Sequence, residues 1–511
     1  GEIGMELSMK RSGIACCEKV FEYAMPVEQA TETVVPDTMP DVERILCAEG
    51  MVIIRSKEVS EGRVTVSAGV AATVLYSPEG GGRPCRLSAV VPIELELDAP
   101  GVTQESIPVA MLSLTGVEAR MLNPRKLLVR AVVYACVECY DRTEMSFCDG
   151  LEGDEAGDVE VLTDSRTISP VVCVREKTFV VSDEYRLQPG QPPLGEIVWH
   201  GVDIVPGSVR AVGSKIVFGG TVRMAVLYEA EGTGDLCSAG FETEFSQMLD
   251  TGVELSSPDC SVYTMLTAEY VEPMTLSGGE RGISAEFHLV SQVVCTDSVR
   301  VVCVTDCYSN SRELDITSAE TELGCVQRRS TVRATVHESL PASPPPVEIC
   351  RVLCRTGTAV CEGGTLRCPV TVTVLYRAAD GQFYSVARRL SSEAPAELGE
   401  NEYAALVRAS CSDCSASPTS SGADVRLLVD FELLVVKRIG VPQIDSVACG
   451  EALEAGGAPS LTVVRAGAGD TLWALGKRYR STARLIAAQN GLAEGDALEG
   501  KTLLIPTARH K

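Results

Sequence analysis

Three stretches that end in the same Val-Leu-Tyr triplet decide the fold: Val70-Ala-Ala-Thr-Val-Leu-Tyr76, Val222-Arg-Met-Ala-Val-Leu-Tyr228 and Val370-Thr-Val-Thr-Val-Leu-Tyr376. The first and second tyrosines are 152 residues apart, and the second and third are 148 apart. A proline-led apolar segment precedes each triplet, and a glycine-bearing polar turn follows it. A further apolar run completes each repeat, at 127–137, 283–294 and 425–436. Landmarks that recur at one period indicate three copies of one structural unit.

Each copy is predicted to be built from β-strands. Apolar and polar residues alternate strictly between Val64 and Tyr76, and the runs at 127–137 and 425–436 repeat this period of two. Such alternation is typical of a strand that is buried on one face. We therefore expect a mainly β fold, with three tandem antiparallel sandwich or barrel-like domains of roughly 150 residues. The segment after Pro40 is predicted to be a short helix, and the three triplet tyrosines are expected to be structural.

Shifts in composition give the predicted boundaries. We place the three repeats at 1–150, 151–306 and 322–450. A linker at 451–460 and a small module at 461–506 follow them. The acidic, glycine-rich stretch 149–158 and the polar stretch 307–321 are expected to connect the repeats. The proline-rich stretch 341–346 is predicted to be a stiff turn inside the third repeat.

Composition excludes several classes of protein. Apolar residues make up 45% of the 511 residues, which is typical of a chain that buries cores. The formal charge of −25 opposes general binding to nucleic acid. No apolar run is long enough for a transmembrane helix, and the start of the chain lacks the apolar region of a secretory signal. We expect Met5 to be the natural start, residues 1–4 to be a remnant, and the protein to stay in the cytoplasm.

The C-terminal module has a different pattern. We predict a strand at 461–464, a helix capped by Asp470, a second helix at 482–489 that Asn490 and Gly491 end, and a strand at 502–505. The segment 461–511 carries a charge of +4, which leaves −29 on the rest. This division of charge suggests that the two parts of the chain meet different partners, although a solvated helix face is an equally good interpretation.

The sequence around Gly469-Asp-Thr-Leu-Trp-Ala-Leu475, Asn490-Gly-Leu492 and Gly500-Lys-Thr-Leu-Leu-Ile-Pro506 resembles a LysM module. The segment Val35-Pro-Asp-Thr-Met-Pro-Asp-Val-Glu-Arg-Ile-Leu46 resembles the opening of a SPOCS domain, a repeat of clostridial sporulation proteins. The whole layout is similar to that of clostridial spore-coat morphogenetic proteins. This resemblance implies a non-enzymatic scaffold in the mother-cell cytoplasm, at the forespore surface. Its implied partners are a SpoIVA-type coat ATPase and other coat proteins.

The resemblance to LysM also implies a shallow groove for N-acetylglucosamine polymers, and hence for peptidoglycan. The groove residues would be Gly469, Asp470, Thr471, Trp473, Asn490, Gly491 and Leu492. The loop 465–470 is about two residues longer than the usual Pro-Gly-Asp-Thr start of a LysM loop, and Leu498-Glu-Gly500 lacks the common aromatic residue. Glycan binding and protein docking both stay open, and we expect Trp473 to be partly exposed as an anchor for a partner.

Catalysis, cofactors and metals are not predicted. The four histidines are dispersed, and the sequence lacks the phosphate-binding, nucleophile-elbow and zinc-protease motifs. The 21 cysteines are expected to be mostly free thiols that act as small apolar side chains. Cys136 and Cys139 should lie on opposite faces of a strand, which suits neither chelation nor a redox turn. Cys411 and Cys414 lie in a looser stretch that would bind zinc only if a second pair came near, and later crosslinking of thiols is the less favoured alternative.

Overall fold

Long antiparallel strands dominate the computed structural model, which confirms the mainly β prediction. It describes residues 5–152, 158–453, 459–493 and 496–508. Three β units, here called the first, second and third unit, precede a small module with two helices.

The bounds of the elements follow the chain. The chain begins with β1 (Met5–Glu6), which belongs to a sheet of the third unit. The first unit contains β2 (Ser8–Val34), β3 (Val42–Ser60), β4 (Arg63–Pro78), β5 (Cys85–Asp98), β6 (Ile107–Asn123) and β7 (Lys126–Glu152). The second contains β8 (Val159–Ile168), β9 (Val171–Tyr185), β10 (Leu194–Val212), β11 (Lys215–Ala230), β12 (Leu236–Asp250), β13 (Pro258–Thr275), β14 (Arg281–Asp297) and β15 (Val299–Ser309). The third contains β16 (Arg312–Pro341), β17 (Pro346–Thr356), β18 (Val360–Glu362), β19 (Thr365–Ala378), β20 (Phe383–Pro395), β21 (Glu402–Thr419) and β22 (Gly422–Ala452). The module contains β23 (Leu461–Arg465), α1 (Leu472–Tyr479), α2 (Ala483–Asn490) and β24 (Thr502–Pro506).

Strand pairing is the same in all three units. One sheet is a local meander: β3–β4–β5, β10–β11–β12, or β17–β19–β20 with β18 beside β19. The other joins the start of the unit to its end, in the orders β2–β7–β6, β9–β14–β13 and β16–β22–β21. In the second unit the long outer pair is interrupted, and β8 and β15 continue it as a separate ribbon. A single parallel bridge between Ile53 and Leu266 connects the first and second units.

The predicted alternation describes the cores correctly. Four side chains of β4 are completely buried, with 0% of their surface exposed: Val64, Val66, Val70 and Tyr76. The inward residues of β7 and β22 are similarly enclosed. Each of these strands is paired with a neighbour on both edges, and its inward face packs into the hydrophobic core of its unit. Burial of this kind contributes roughly 25 cal/mol for each Å² of apolar surface removed from water.

The triplet tyrosines hold equivalent positions in the three units. Tyr76, Tyr228 and Tyr376 are almost fully enclosed, and each donates a hydrogen bond to a proline carbonyl. The acceptors are the carbonyl oxygens of Pro40 at 3.0 Å, Pro192 at 2.9 Å and Pro344 at 3.0 Å. The expected structural role of the tyrosines is thus supported by their contacts, which tie the meander to the turn that leads into it.

The leucine of each triplet has a different structural role from the tyrosine, because it packs between the units. Leu75, Leu227 and Leu375 point away from the cores of their own units and meet in one buried cluster. Leu46, Cys47, Val198, Trp199 and Leu353 complete this cluster. Because period-two alternation sends successive side chains to opposite faces, one triplet supplies both a core tyrosine and an inter-unit leucine. The three repeats therefore form one body with a shared centre.

Several predicted local features are wrong. The segment after Pro40 is strand β3 and not a helix, since Ile45 is paired with Tyr76 across an antiparallel ladder. The third unit starts before residue 322: β16 begins at Arg312, and its residues pair with the end of β22. Most of the expected connector 307–321 is therefore strand. Strands β7 and β22 likewise extend into the expected connectors, to Glu152 and Ala452; residues 153–157 and 454–458 lie outside the described residues.

Candidate functional site

The C-terminal module has the predicted order of strand, helix, helix and strand. Antiparallel β23 and β24 pack against both helices around a core of Leu475, Ile486, Leu498, Leu503 and Ile505. Each core residue is at most 6% exposed. This small cluster is the local hydrophobic centre that positions the two candidate groove loops.

The loop before α1 contains the first group of candidate residues. Thr471 is the N-cap of α1, and its Oγ1 accepts a hydrogen bond from the Ala474 N–H at 3.1 Å. The predicted cap, Asp470, is wrong, because its carboxylate accepts instead from the Gly467 N–H at 2.9 Å and lies 3.7 Å from Arg478. Asp470 thus closes the preceding turn, while Gly469 and Thr471 are exposed at the surface.

The loop after α2 contains the second group. Gly491 has a φ of 60°, in the left-handed region that favours glycine, and it ends α2 as predicted. The side chain of Asn490 is fully engaged inside the module: it donates to the carbonyls of Ile486 at 2.8 Å and Leu504 at 2.7 Å, and it accepts from the Leu504 N–H at 2.7 Å. Asn490 therefore fixes the loop to β24, and its amide is not available to a ligand.

Leu492 completes this loop. Its side chain is half-buried and packs on the module core, as does that of Leu472 beside the first loop. Of the candidate residues, Gly469, Thr471 and Gly491 offer exposed surface, whereas Asp470 and Asn490 support the loops from within. The proposed groove consequently depends on backbone groups and on the apolar edge of Leu492.

Trp473 contacts the second β unit. Its Nε1 donates to Oδ2 of Asp306 at 2.8 Å, and its ring meets that of Tyr308 edge-on, with centroids 4.7 Å apart. Lys477, one turn further along α1, donates to both oxygens of Asp306 at 2.7 and 2.8 Å. Trp473 is half-buried, so its expected partial exposure is seen, but its polar atom is already engaged within the chain.

Tyr308 holds the opposite side of the same contact. Its hydroxyl donates to the Ser481 carbonyl at 2.9 Å. An added Cβ on Gly476 would lie 2.6 Å from that hydroxyl, so only glycine permits the close approach at this position. Burial raises the pKa of Tyr308 to about 12, so the hydroxyl stays a donor at neutral pH. We call this set, Asp306 and Tyr308 on β15 with Trp473, Gly476, Lys477 and Ser481 of the module, the seat.

The seat changes the interpretation of the charge division. Lys477 of the basic module pairs with Asp306 of the acidic body, so the two parts meet each other. The difference in charge between module and body therefore also acts within the chain, which the expectation of separate partners did not include. Asp306 and Tyr308 had no signal in the sequence, since they lie about 170 positions from their partners and belong to an ordinary strand end.

Comparison with known families gives two matches. Residues 41–122 match the family described as SipL, SPOCS domain, and residues 465–506 match the LysM domain. The chain carries a SipL-type SPOCS domain and a LysM domain. The SPOCS match spans β3 to β6 of the first unit, and the LysM match spans nearly the whole module. No curated protein matches the chain.

Both matched domains are non-catalytic binding domains. Within the described ranges, no group of three or more His, Cys, Asp or Glu residues is arranged to hold a metal ion. His200 and His288 pair with neighbouring glutamates, Glu269 and Glu286. No helix in the described part of the chain is long and apolar enough to cross a membrane.

The cysteines are mostly free thiols. Nineteen are free, and Cys260 and Cys295 form a disulfide between directly paired positions of β13 and β14. Cys136 and Cys139 lie on opposite faces of β7 as predicted, since Cys139 is enclosed and Cys136 is half-buried. Burial raises the pKa of both thiols to about 11, which keeps them protonated.

Proposed function

We propose that this protein is a non-enzymatic scaffold in the assembly of a bacterial spore coat. In this proposal it acts in the mother-cell cytoplasm, at the forespore surface, where it docks to a SpoIVA-type coat ATPase and recruits it together with other coat proteins. The SipL-type SPOCS match at 41–122, in one chain with the LysM match at 465–506, is the observation that carries the proposal.

The architecture supports a scaffold in physical terms. Three β units share one buried centre, and the seat fixes the LysM domain to the second unit at a defined place. A rigid body of this kind presents a binding loop in a constant orientation, which lowers the entropy that a partner loses on docking.

Peptidoglycan binding is the second candidate, and the LysM match favours it directly. The exposed backbone at Gly469, Thr471 and Gly491 would bond the acetamide groups, and Leu492 would cover a sugar face. The two candidates predict different ligands for the same loops.

A pull-down with the full chain separates these candidates. Purified coat ATPase and insoluble peptidoglycan are offered separately to the wild type, to Leu492→Asp and to Leu485→Asp. Leu485 is an exposed leucine of α2 in the same domain, so its variant is a matched control for the added charge. The scaffold proposal expects capture by the ATPase; retention by peptidoglycan alone would replace it with the second candidate.

Trp473→Ala and Asp306→Ala then distinguish two roles of the seat: direct contact with the partner and fixing the orientation of the LysM domain. Trp473→Ala removes both the aromatic surface and its bond to the body, whereas Asp306→Ala releases the domain but keeps the tryptophan. Loss of ATPase capture only in Trp473→Ala would show that the indole touches the partner. Loss in both would show that the fixed orientation of the domain is required.

A further inference from the structure

The third unit contains three cysteines that the structure brings together: Cys354 on β17, and Cys411 and Cys414 on β21. A β-bulge at Ser412 makes this arrangement. Cys411 is opposite Val429 and Cys414 is opposite Leu427, and these two partners lie on the same face of β22. The extra residue therefore puts two cysteines that are three positions apart on one face, whereas a regular strand would put them on opposite faces.

Strand β17 crosses β21 at the same place. Two contacts bracket Cys354: Cys414 Sγ lies 3.8 Å from the Val352 carbonyl, and Thr356 Oγ1 donates to the Ala409 carbonyl at 3.2 Å. Between these contacts Cys354 comes opposite Cys411, and the two thiols interact. Cys411 and Cys414 share one face of β21 and also interact, so the three cysteines lie in one neighbourhood.

The other two units serve as an internal comparison. The same bulge occurs between Leu114 and Gly116 and between Leu266 and Ala268. Strand register then gives the residues that correspond to Cys354, Cys411 and Cys414: Gly50, Leu114 and Val117 in the first unit, and Val202, Leu266 and Glu269 in the second. Neither unit carries sulfur at any of these positions, so the fold itself does not require thiols there.

A charged group lies next to the sulfurs. The guanidinium of Arg351 interacts with Cys414, and its buried Nε has no hydrogen-bond partner within the described residues. Burial lowers the pKa of Arg351. Contact with Cys354 raises the pKa of Cys411 to about 12, and contact with Cys411 together with burial raises the pKa of Cys414, so Arg351 offsets these effects only in part. The thiolate, the form that attacks a disulfide, therefore forms here mainly at alkaline pH.

We propose that Cys354 and Cys411 are a dithiol oxidation site that takes a low-molecular-weight disulfide as its oxidant, with Cys414 as an exchanging thiol. One cysteine thiolate attacks the small disulfide, forms a mixed disulfide and releases one small thiol. The second cysteine then attacks the mixed disulfide and releases the other small thiol. Two protein thiols lose two electrons and two protons, and the small disulfide becomes two thiols. The product joins the two sheets of the third unit.

Mass spectrometry of the full chain tests this site because trypsin separates the cysteines. Cleavage after Arg351, Arg355, Arg408 and Arg426 gives peptide 352–355, which contains only Cys354, and peptide 409–426, which contains Cys411 and Cys414. After incubation with oxidised glutathione and blocking of free thiols, we expect these two peptides to be joined, with the loss of two hydrogens. Cys361→Ser, a change in the same unit away from the three sulfurs, should leave the joined species unchanged.

The variants make the result decisive. Cys354→Ser should abolish the joined species, and Cys411→Ser should reduce it at least tenfold or transfer the bond to Cys414. The oxidised chain should also unfold at a higher urea concentration than the reduced chain, and Cys354→Ser should lose that difference. A disulfide confined to peptide 409–426, stable occupation of the three sulfurs by added Zn²⁺, or no oxidation while other thiols react would each overturn the proposal.

Discussion

Removing the Asp306 carboxylate should loosen the LysM domain from the body without unfolding either part. In Asp306→Ala, Trp473 loses a 2.8 Å bond to a charged acceptor, a contact worth about 1.5–3 kcal/mol. The ion pair with Lys477 adds only about 0.5 kcal/mol, since the lysine side chain is 46% exposed. The sum, about 2–3.5 kcal/mol, corresponds to a change of roughly 30- to 300-fold in the ratio of docked to free domain.

Hydrogen exchange, measured by mass spectrometry on the full chain, detects this change in the ratio of docked to free domain. Amides of α1 and of β15 should exchange faster in Asp306→Ala, while those of β4 and β22 stay as protected as in the wild type. Asp306→Asn keeps an acceptor for the indole and should give a smaller effect. High salt should weaken the Lys477 contribution but not the bond from Trp473.

A double-mutant cycle isolates the ion pair. Lys477→Ala should show a coupling energy with Asp306→Ala of about 0.5 kcal/mol, and Arg484→Ala, which removes a charge elsewhere in the same domain, should show none. Equal coupling for both basic residues, or α1 exchange that Asp306→Ala leaves unchanged, would refute the assignment of the seat.

Three further outcomes follow from the structure. Gly476→Ala should speed exchange in β15, because the new methyl lies 2.6 Å from the Tyr308 hydroxyl, while circular dichroism should show that α1 is retained. Leu227→Ala should lower the free energy of unfolding by about 2–5 kcal/mol in urea titrations, with an equal loss expected for the other two triplet leucines; an effect below 1 kcal/mol would contradict the shared centre. Burial raises the pKa of Tyr76 and of Tyr228 to about 12, against about 10 in an unfolded chain. The folded state thus holds these protons more tightly, so their contribution to stability is complete below pH 10 and falls as the pH rises through 12; ultraviolet titration that shows all tyrosines ionising near pH 10 in the folded protein would contradict this.

Local patterns predicted the strands and the helical module well. Alternation from Val64 to Tyr76 gives both the strand and its buried face, since each residue needs only its neighbours along the chain to be placed. The end of α2 at Gly491 was readable for the same reason, because a left-handed cap is a property of one residue. The predicted N-cap of α1 was wrong by one position. Asp470 and Thr471 are both residue types that favour an N-cap, and only the loop geometry decides between them.

Contacts between distant segments were not readable. The pairing of β2 with β7 joins residues that are 92 to 144 positions apart, and periodicity carries no information about such partners. The same limit hid the Asp306–Trp473 bond and the pairing of Cys260 with Cys295. The bulge at Ser412, which puts Cys411 and Cys414 on one face, was equally unreadable, since an inserted residue changes the phase of a strand without a clear mark in its composition.

The candidate groove was predicted as a set of residues but not as a set of roles. Asn490 matched the expected position, yet its amide is committed to Ile486 and Leu504. Whether a side chain faces a ligand or the interior depends on β24, which begins twelve residues later. Hydrogen-bond partners of this kind appear only when the loop and the strand are seen together.

Equilibrium sedimentation of the full chain with purified coat ATPase, with and without soluble N-acetylglucosamine oligomers, tests the proposed scaffold function most directly. We predict saturable co-sedimentation with a fixed ratio of the two proteins, unaffected by the oligomers, and ATP hydrolysis that belongs to the ATPase alone. Separate sedimentation of the two proteins, together with tight binding of the oligomers to this chain, would contradict the account.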